Sequence, residues 1–367
     1  LLVPKEVLER GVVVGDDIPK YLSSVRDAIR NLRYPLKDGI IRKEDEDSWK
    51  IIKELARYGF SQFYSDFVRR PDFKGFFLVI ALSALAPDYM RDRMIDVHKE
   101  LDEEFGGRLL QAITIIDQPF AVAIAEKAVT CTVIEAGHGN IQLVPISYGP
   151  IREGIVALNR GGAEENAVTR EVVKRTAGLV PRNFDEAIKR AREDPSRFAI
   201  RVKINPLVEV ELKDTAWMRF LIGEVVFNPK HDIFTSYIQQ GRLVIEDATV
   251  GDMVFYGEMD IADALITSIR KVPVEIQDKI MSTIILSGGA FNWTVPPGLE
   301  DVATNSVDKI KIMVSEKLPD LANKLSISMV KDPQFSVWKG AIIYGYALPN
   351  TVRWNERTKE GWYYLHQ

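Results

Sequence analysis

Residues 129–146 read VTCTVIEAGHGNIQLVPI, and this stretch constrains the fold most. Two apolar runs, 129–135 and 141–146, flank a short segment that contains Gly137 and Gly139. Apolar runs separated by a glycine-containing turn are typical of two strands joined as a β-hairpin. The sequence therefore predicts a hairpin, and with it a sheet, in the middle of the chain.

Strands and helices alternate on both sides of this hairpin. Trp49, Ile52 and Leu55 recur at helical spacing beside charged residues, which predicts a helix over 45–63. Residues 170–201 are charged and helical in character, with two prolines that interrupt them. The other predicted elements are strands at 75–85, 109–116 and 283–286 and helices at 87–105, 119–127 and 301–318. We expect the first of these strands to be buried in a covered sheet, and the alternation predicts an α/β fold.

Length, composition and charge limit the classes of protein to which the chain can belong. The 367 residues exceed what one hydrophobic core usually supports, so we expect two domains. The net charge of −4 lacks the basic excess of nucleic-acid binders, so no nucleic-acid partner is expected. The longest apolar run, 76–87, is shorter than the ~20 residues that span a bilayer, so we expect no membrane span. Cys131 lies in an apolar strand and is expected to be a core residue, and the dispersed histidines indicate no structural metal.

Two glycine-containing turns are candidate ligand sites. Gly137 and Gly139 leave room for close approach of a ligand, and such a turn can point N–H groups at phosphate oxygens, with φ > 0 expected there. Glu135, at the end of the preceding strand, could orient a hydrated Mg²⁺ ion. The turn at 287–289 offers bare backbone on which a nucleotide could lie. Each motif taken alone is more often a plain turn, so neither is diagnostic.

Five segments, taken in chain order, resemble the actin family. They are RYPLKDGI at 33–40, Gln118 ahead of the helix at 119–127, EAGHG at 135–139, IILSGG at 284–289 and FSVWKG at 335–340. The amino-acid sequences at 135–140, 157–164 and 343–349 are most similar to those of the crenactins, the actins of thermophilic archaea within the actin-like ATPase superfamily.

This resemblance implies an actin-like, two-lobed α/β fold of duplicated ribonuclease-H-like domains with a nucleotide cleft between them. Domain I would comprise residues 1–125 and 336–367, and domain II residues 126–335, with 161–250 as its outer subdomain. The implied function is that of a cytoplasmic, cytoskeletal ATPase that binds ATP or ADP with Mg²⁺, hydrolyses ATP slowly and polymerises with itself into helical filaments, together with accessory cytoskeletal proteins. A non-polymerising actin-related scaffold with structural nucleotide is the alternative, and a kinase or chaperone on the same fold is a third.

The resemblance also assigns site residues. Gln118 would place the attacking water, Glu135 would hold Mg²⁺ through water, and Gln142 stands where actins have a water-ordering histidine. The implied nucleotide-binding positions are Gly137, His138, Gly139, Gly162, Lys174, Gly288, Gly289, Asn292 and Trp293.

The chain also departs from the family pattern. The first phosphate loop, an Asp-x-Gly turn, has no counterpart, so we expect the sequence to omit an N-terminal stretch. Glu135 replaces an aspartate, and Gln334 replaces a lysine that contacts the base. The apolar, proline-stiffened loop 293–299 suits either a contact between protomers or packing against its own domain, and the sequence leaves both open.

Overall fold

A computed structural model describes residues 9–19, 32–36, 39–169, 175–205, 207–250 and 253–366. The protein is of mixed α/β type and divides into two compact units. Unit one comprises Leu1–Ile116 with Tyr344–Gln367, and unit two is Asp117–Ile343. The unit boundaries therefore lie at 116/117 and 343/344, whereas the resemblance places them at 125/126 and 335/336.

The helices and strands follow in chain order. Those up to the end of the central hairpin are α1 (Glu46–Ser61), α2 (Tyr64–Val68), β1 (Phe76–Leu82), α3 (Asp88–Glu104), β2 (Leu110–Asp117), α4 (Gln118–Ala125), β3 (Thr130–Ala136) and β4 (Ile141–Ser147). Next come β5 (Val156–Leu158), α5 (Gly162–Val168), β6 (Val180–Pro181), α6 (Phe184–Glu193), α7 (Pro195–Phe198), β7 (Ile200–Asn205), β8 (Val208–Leu212), α8 (Arg219–Phe227), α9 (Thr235–Gln239), β9 (Ala248–Val250) and β10 (Met253–Tyr256). The last are α10 (Ile261–Arg270), α11 (Val274–Met281), β11 (Ile284–Ser287), β12 (Ala303–Thr304), α12 (Ser306–Lys317), α13 (Pro319–Ala322), β13 (Ile327–Met329), α14 (Ser336–Ala347) and β14 (Tyr363–Tyr364).

Unit one is built on a small sheet with the order β1-β2-β14. Helix α1 begins at the cap Asp45, whose side chain accepts a hydrogen bond from the Ser48 N–H at 3.1 Å. It packs on α3, and Lys53 joins the two helices through ion pairs to Glu100 and Glu104 at 3.0 and 2.8 Å. The predicted helices at 45–63 and 87–105 are therefore confirmed.

Strand β1 differs from its prediction. It was expected to be buried, yet Leu82 is its one buried residue and Phe77 is exposed. The reason is its position, because β1 lies at an edge of the sheet that the described residues form, so one of its sides has no neighbouring strand there.

Unit two is built on a seven-stranded mixed sheet with the order β13-β11-β3-β4-β5-β10-β9. Strands β3, β4 and β5 form an antiparallel meander, and β11 and β13 extend it in parallel from β3. The predicted hairpin is confirmed, with a register that runs from Thr130 opposite Ser147 to Ala136 opposite Ile141.

The centre of this sheet is covered on both faces. Nearly every residue of β3 and β4 is buried, and α4, α10 and α11 pack against the central strands. Cys131 is fully buried in β3, and burial raises the pKa of its thiol to about 12. The prediction of a core cysteine is therefore confirmed.

Within the part of the chain that the structure describes, no helix combines the length and apolar character that crossing a bilayer requires.

Two other predicted segments begin or end differently in the structure. The helix expected over 301–318 begins only at Ser306, because Ala303 and Thr304 pair with β6 as strand β12. In the charged segment 170–201, Pro181 lies in β6 and Pro195 begins α7.

The loop at 293–299 packs against its own unit. Trp293 and Val295 are half-buried against the core of unit two, and the Trp293 indole donates a hydrogen bond to the carbonyl oxygen of Ala290 at 2.8 Å. Just beyond the loop, Arg190 and Arg197 bind the carboxylate of Asp301. These contacts favour the intramolecular alternative for the side chains of Trp293 and Val295.

Candidate functional site at the end of strand β3

Four chain segments meet where strand β3 ends. Glu135 lies opposite Gln142 of β4 on one side and opposite Ser287 of β11 on the other. Helix α4, which begins at Gln118, packs against β3 and β4. The start of α5, at Gly162, contacts the turn between β3 and β4. The sheet register and the packing of α4 thus bring together residues that are far apart in the sequence, from Gln118 to Ser287.

The amide of Gln142 lies at the centre of a cluster of polar side chains. Gln142 is fully buried, and its Nε2 atom is 3.4 Å from Gln118 Oε1, from Glu135 Oε2 and from Asn140 Oδ1. An amide nitrogen carries two hydrogens, so it cannot serve all three oxygens at once. Each contact is also longer than a typical N–H···O bond of about 2.9–3.0 Å. The three oxygens therefore compete for the two hydrogens of the Gln142 amide, and each contact is weak.

Glu135 is a buried carboxyl group. No basic side chain is among the groups that shift its pKa. Burial raises the pKa of Glu135 to about 7, and the hydrogen bond from Gln142 offsets part of this shift. The protonation state of this carboxyl group therefore changes near neutral pH, in contrast with an exposed glutamate.

The direction of the turn's N–H groups follows from two hydrogen bonds. The N–H groups of Gly162 and Ala163, at the start of α5, donate to the carbonyl oxygens of Gly137 and His138 at 3.0 and 2.8 Å. No cis peptide is found among the described residues, and in a trans peptide the C=O and the following N–H point in opposite directions. The N–H groups of His138 and Gly139 therefore both point to the side of the turn away from α5. Two adjacent N–H groups directed to one side form a small anion-binding concavity.

Two of the glycines at the site are required by packing alone. A Cβ atom on Gly161 would lie 2.5 Å from the carbonyl oxygen of Gly137, and one on Gly288 would lie 2.1 Å from that of Ala136. Gly288 also has a φ of 96°, which disfavours other residues. The sequence predicted φ > 0 in the hairpin turn, but neither Gly137 nor Gly139 has it, so that prediction is wrong. The close approach of β3 therefore explains why position 288 is a glycine.

Three other glycines have no such requirement. A Cβ atom would find its nearest neighbour at 3.6 Å for Gly137, 3.6 Å for Gly162 and 3.7 Å for Gly289, which is ordinary contact distance. At Gly137 that neighbour is Glu135 Oε1, so a side chain there would project toward the carboxyl group. The protein itself does not explain why these three positions lack a side chain.

The remaining predicted residues differ in their placement. Asn292 is exposed and follows the single helical turn Gly289–Phe291, which contacts both β3 and α5. Trp293 packs against the core as described above. Lys174 lies outside the described residues.

Two buried polar groups in this region were not predicted from the sequence. Asn140 is 4% exposed and contacts Gln142, and Asp117 is buried at the start of α4, with Arg152 Nη2 3.5 Å from its Oδ2. Asn140 could have been identified because it directly follows the glycine turn. Asp117 could have been identified because it precedes a first helical turn that contains a proline.

The donor set fits a hydrated magnesium ion better than a protein-bound metal. Among the described residues, no group of three or more His, Cys, Asp or Glu side chains could hold a metal ion. The cluster offers one carboxylate and side-chain amide oxygens, all of them hard donors. Mg²⁺ usually keeps several waters and binds through one or two carboxylates together with substrate phosphates, so Glu135 suits a contact through water.

The sequence matches no protein-family model. The assignment of the site therefore depends on its geometry and on the resemblance of individual segments.

Alanine substitutions should separate the two kinds of glycine. Gly161→Ala and Gly288→Ala should destabilise the protein by ~3 kcal/mol or more, because the new methyl group meets backbone that cannot move aside. Gly137→Ala and Gly162→Ala should change the free energy of unfolding by less than ~1 kcal/mol. Chemical denaturation of the nucleotide-free protein measures both, and equal losses in all four variants would contradict this division.

Glu135 should make stability depend on pH. Its pKa is raised from 4.5 to about 7 on folding, so its contribution is fully present below about pH 4.5 and is lost as pH rises through about 7. Glu135→Gln removes this loss, and its stability relative to the parent should rise by about 2–3 kcal/mol between pH 5 and pH 8. Urea unfolding without nucleotide or divalent cation tests this, and parallel pH curves for the two proteins would show that the carboxyl group is not desolvated.

Proposed function

We propose that this protein is an actin-like ATPase, which binds ATP with Mg²⁺ at the β3–β4 turn, hydrolyses it slowly and assembles with copies of itself. The observation that carries the proposal is the pair of N–H groups at His138 and Gly139, directed to one side of a turn that also adjoins Glu135 and the Gln118–Gln142 pair. An anion-binding concavity, a carboxylate and amides able to orient water are what phosphate hydrolysis needs.

Phosphate binding would use backbone rather than side chains. The N–H groups of His138 and Gly139 would donate to the β- and γ-phosphate oxygens, and their direction is already fixed by the hydrogen bonds to α5. The absence of a side chain at Gly137, which packing does not require, would leave room for the phosphates. Gly162, at the start of α5, is kept near the ribose on the resemblance alone. A site that needs no rearrangement stabilises the charge that develops during phosphoryl transfer without a reorganisation cost.

The side chains would orient water and the metal ion. Gln118 is too weak a base to remove a proton, so its amide would position the attacking water. Glu135 would orient the water shell of Mg²⁺, and the ion, when bound, would neutralise charge on the phosphates. Gln142 donates toward both Gln118 and Glu135 and would keep them in place.

The adenosine would lie beside the β11 turn. A Cβ atom at Gly289 would lie 3.7 Å from the Gln334 side chain, so Gln334 adjoins the position where the resemblance places the base. Gly289, Asn292 and Trp293 belong to the same short segment, and the proposal keeps them, with Gly288 and Lys174, as nucleotide-binding positions.

The topology of unit two supports an actin-like fold. Strands β5, β4 and β3 form a meander, to which β11 and β13 add in parallel. This five-stranded part of the sheet is compatible with the ribonuclease-H-like domain that the resemblance implies. We extend the proposal to a duplicated domain and to a filament-forming, cytoskeletal protein on the resemblance alone.

Assembly can be tested independently of the site. Electron microscopy of the protein at increasing concentration, with and without MgATP, should show helical filaments when MgATP is present. A protein that binds MgATP but stays monomeric at every concentration would contradict filament assembly. That result would favour the alternative, a non-polymerising scaffold with structural nucleotide.

Hydrolysis should depend on Gln118, whereas binding should not. Gln118→Ala removes the amide that positions water, and it should slow single-turnover ATP hydrolysis about 10-fold or more while MgADP affinity stays within about 2-fold. Rapid-quench kinetics at saturating nucleotide and equilibrium dialysis measure the two quantities. An unchanged hydrolysis rate at equal occupancy would remove Gln118 from the mechanism.

A further inference from the structure

Asn140 contributes two separate contacts to the site. Its carbonyl oxygen accepts a hydrogen bond from the Gly137 N–H at 3.0 Å, which closes the turn. The residue is 4% exposed, and its Oδ1 atom is 3.4 Å from Gln142 Nε2. Because the backbone contact closes the turn, the side chain can be changed without opening it. Through this contact the side chain belongs to the amide cluster around Gln142.

Asn140 competes with Gln118 for the same donor. Gln142 Nε2 is equidistant, at 3.4 Å, from oxygens on Gln118, Glu135 and Asn140, but it has only two hydrogens. Removing the Asn140 oxygen would take away one of these three competing acceptors. The Gln142 amide could then move toward Gln118 and Glu135 and shorten both contacts to the usual distance of about 2.9–3.0 Å.

The length of the contact from Gln142 to Gln118 matters for water binding. An amide oxygen has two lone pairs, and the Gln118 oxygen is only weakly engaged by Gln142 in the present arrangement. It therefore keeps the capacity to accept a hydrogen bond from water. A shorter contact to Gln142 would turn the Gln118 amide toward β4 and away from that water.

We propose that Asn140 is a positioning residue for ATP hydrolysis: its side-chain oxygen holds the Gln142 amide back and so keeps the Gln118 oxygen available to the attacking water. This inference rests on the proposed function, because it assigns a role within the same site. Asn140 acts through Gln142 and Gln118, and its side chain is not required for the phosphate contacts, which the backbone provides.

Two near-isosteric variants separate the missing oxygen from a general loss of structure. Asn140→Leu removes the acceptor, and it should lower single-turnover hydrolysis about 10-fold while MgADP affinity stays within about 2-fold. Asn140→Asp retains the acceptor but adds a negative charge near the phosphates, so hydrolysis at saturation should stay within about 3-fold of the parent while MgADP affinity falls. Equal loss of hydrolysis in both variants would overturn the role of the oxygen.

A double-mutant comparison tests whether Asn140 acts through Gln142. In a Gln142→Ala background, Asn140→Leu should cause no further loss of hydrolysis, because the donor that it restrains is gone. A full additional 10-fold loss in that background would show that Asn140 acts by another route.

A spectroscopic measurement on the nucleotide-free protein does not depend on activity. With ¹⁵N-labelled glutamine side chains, Asn140→Leu should shift the Gln142 and Gln118 side-chain amide resonances, whereas Asn323→Leu, at an exposed position on a helix end, should leave them unchanged. Unshifted resonances in Asn140→Leu would overturn the contact.

The failures of the two proposals can be told apart. Parent-like hydrolysis by Asn140→Leu would overturn the role of Asn140 and leave the ATPase standing. A parent protein that does not hydrolyse ATP would overturn the ATPase and the positioning role with it, whatever the amide resonances show.

Discussion

The site depends first on the two hydrogen bonds that the start of α5 donates to the β3–β4 turn. They bind the carbonyl oxygens of Gly137 and His138, and the geometry of the trans peptide then directs the next two N–H groups the other way. Gly161 allows this contact, since any side chain there would collide with the same carbonyl oxygens. The start of α5 thus holds both N–H groups on one side of the turn, which is the geometry that the proposed anion site needs.

The second constraint is the burial of polar side chains beside that turn. The sheet places Glu135 between Gln142 and Ser287, where burial raises the pKa of its carboxyl group to about 7. The hydrogen bond from the Gln142 amide offsets part of the cost of this burial, and a bound cation would favour the charged form of the carboxyl group. The cluster is therefore costly for stability and suited to binding, a combination that is common at functional sites.

Much of the fold was predictable because local patterns specify it. The hairpin around Gly137, helix α1 and helix α3 follow from apolar periodicity, turn residues and a helix cap. The exposure of β1 was not predictable, since it depends on which strand of the sheet lies at the edge. In the site, the sequence indicated Glu135 and the glycines, but only tertiary contacts distinguish Gly288, which packing requires, from Gly137, which it does not. Asn140 escaped notice because its contact to Gln142 depends on side-chain placement.

The most direct measurement is a structure of the protein determined by crystallography or cryo-electron microscopy with MgADP bound. We expect phosphate oxygens within about 3.2 Å of the backbone nitrogens of His138 and Gly139, on the side of the turn opposite α5. We also expect a hydrated metal ion near Glu135, with water between them. Phosphates bound elsewhere on the protein, or no nucleotide bound at millimolar MgADP, would contradict the proposed site.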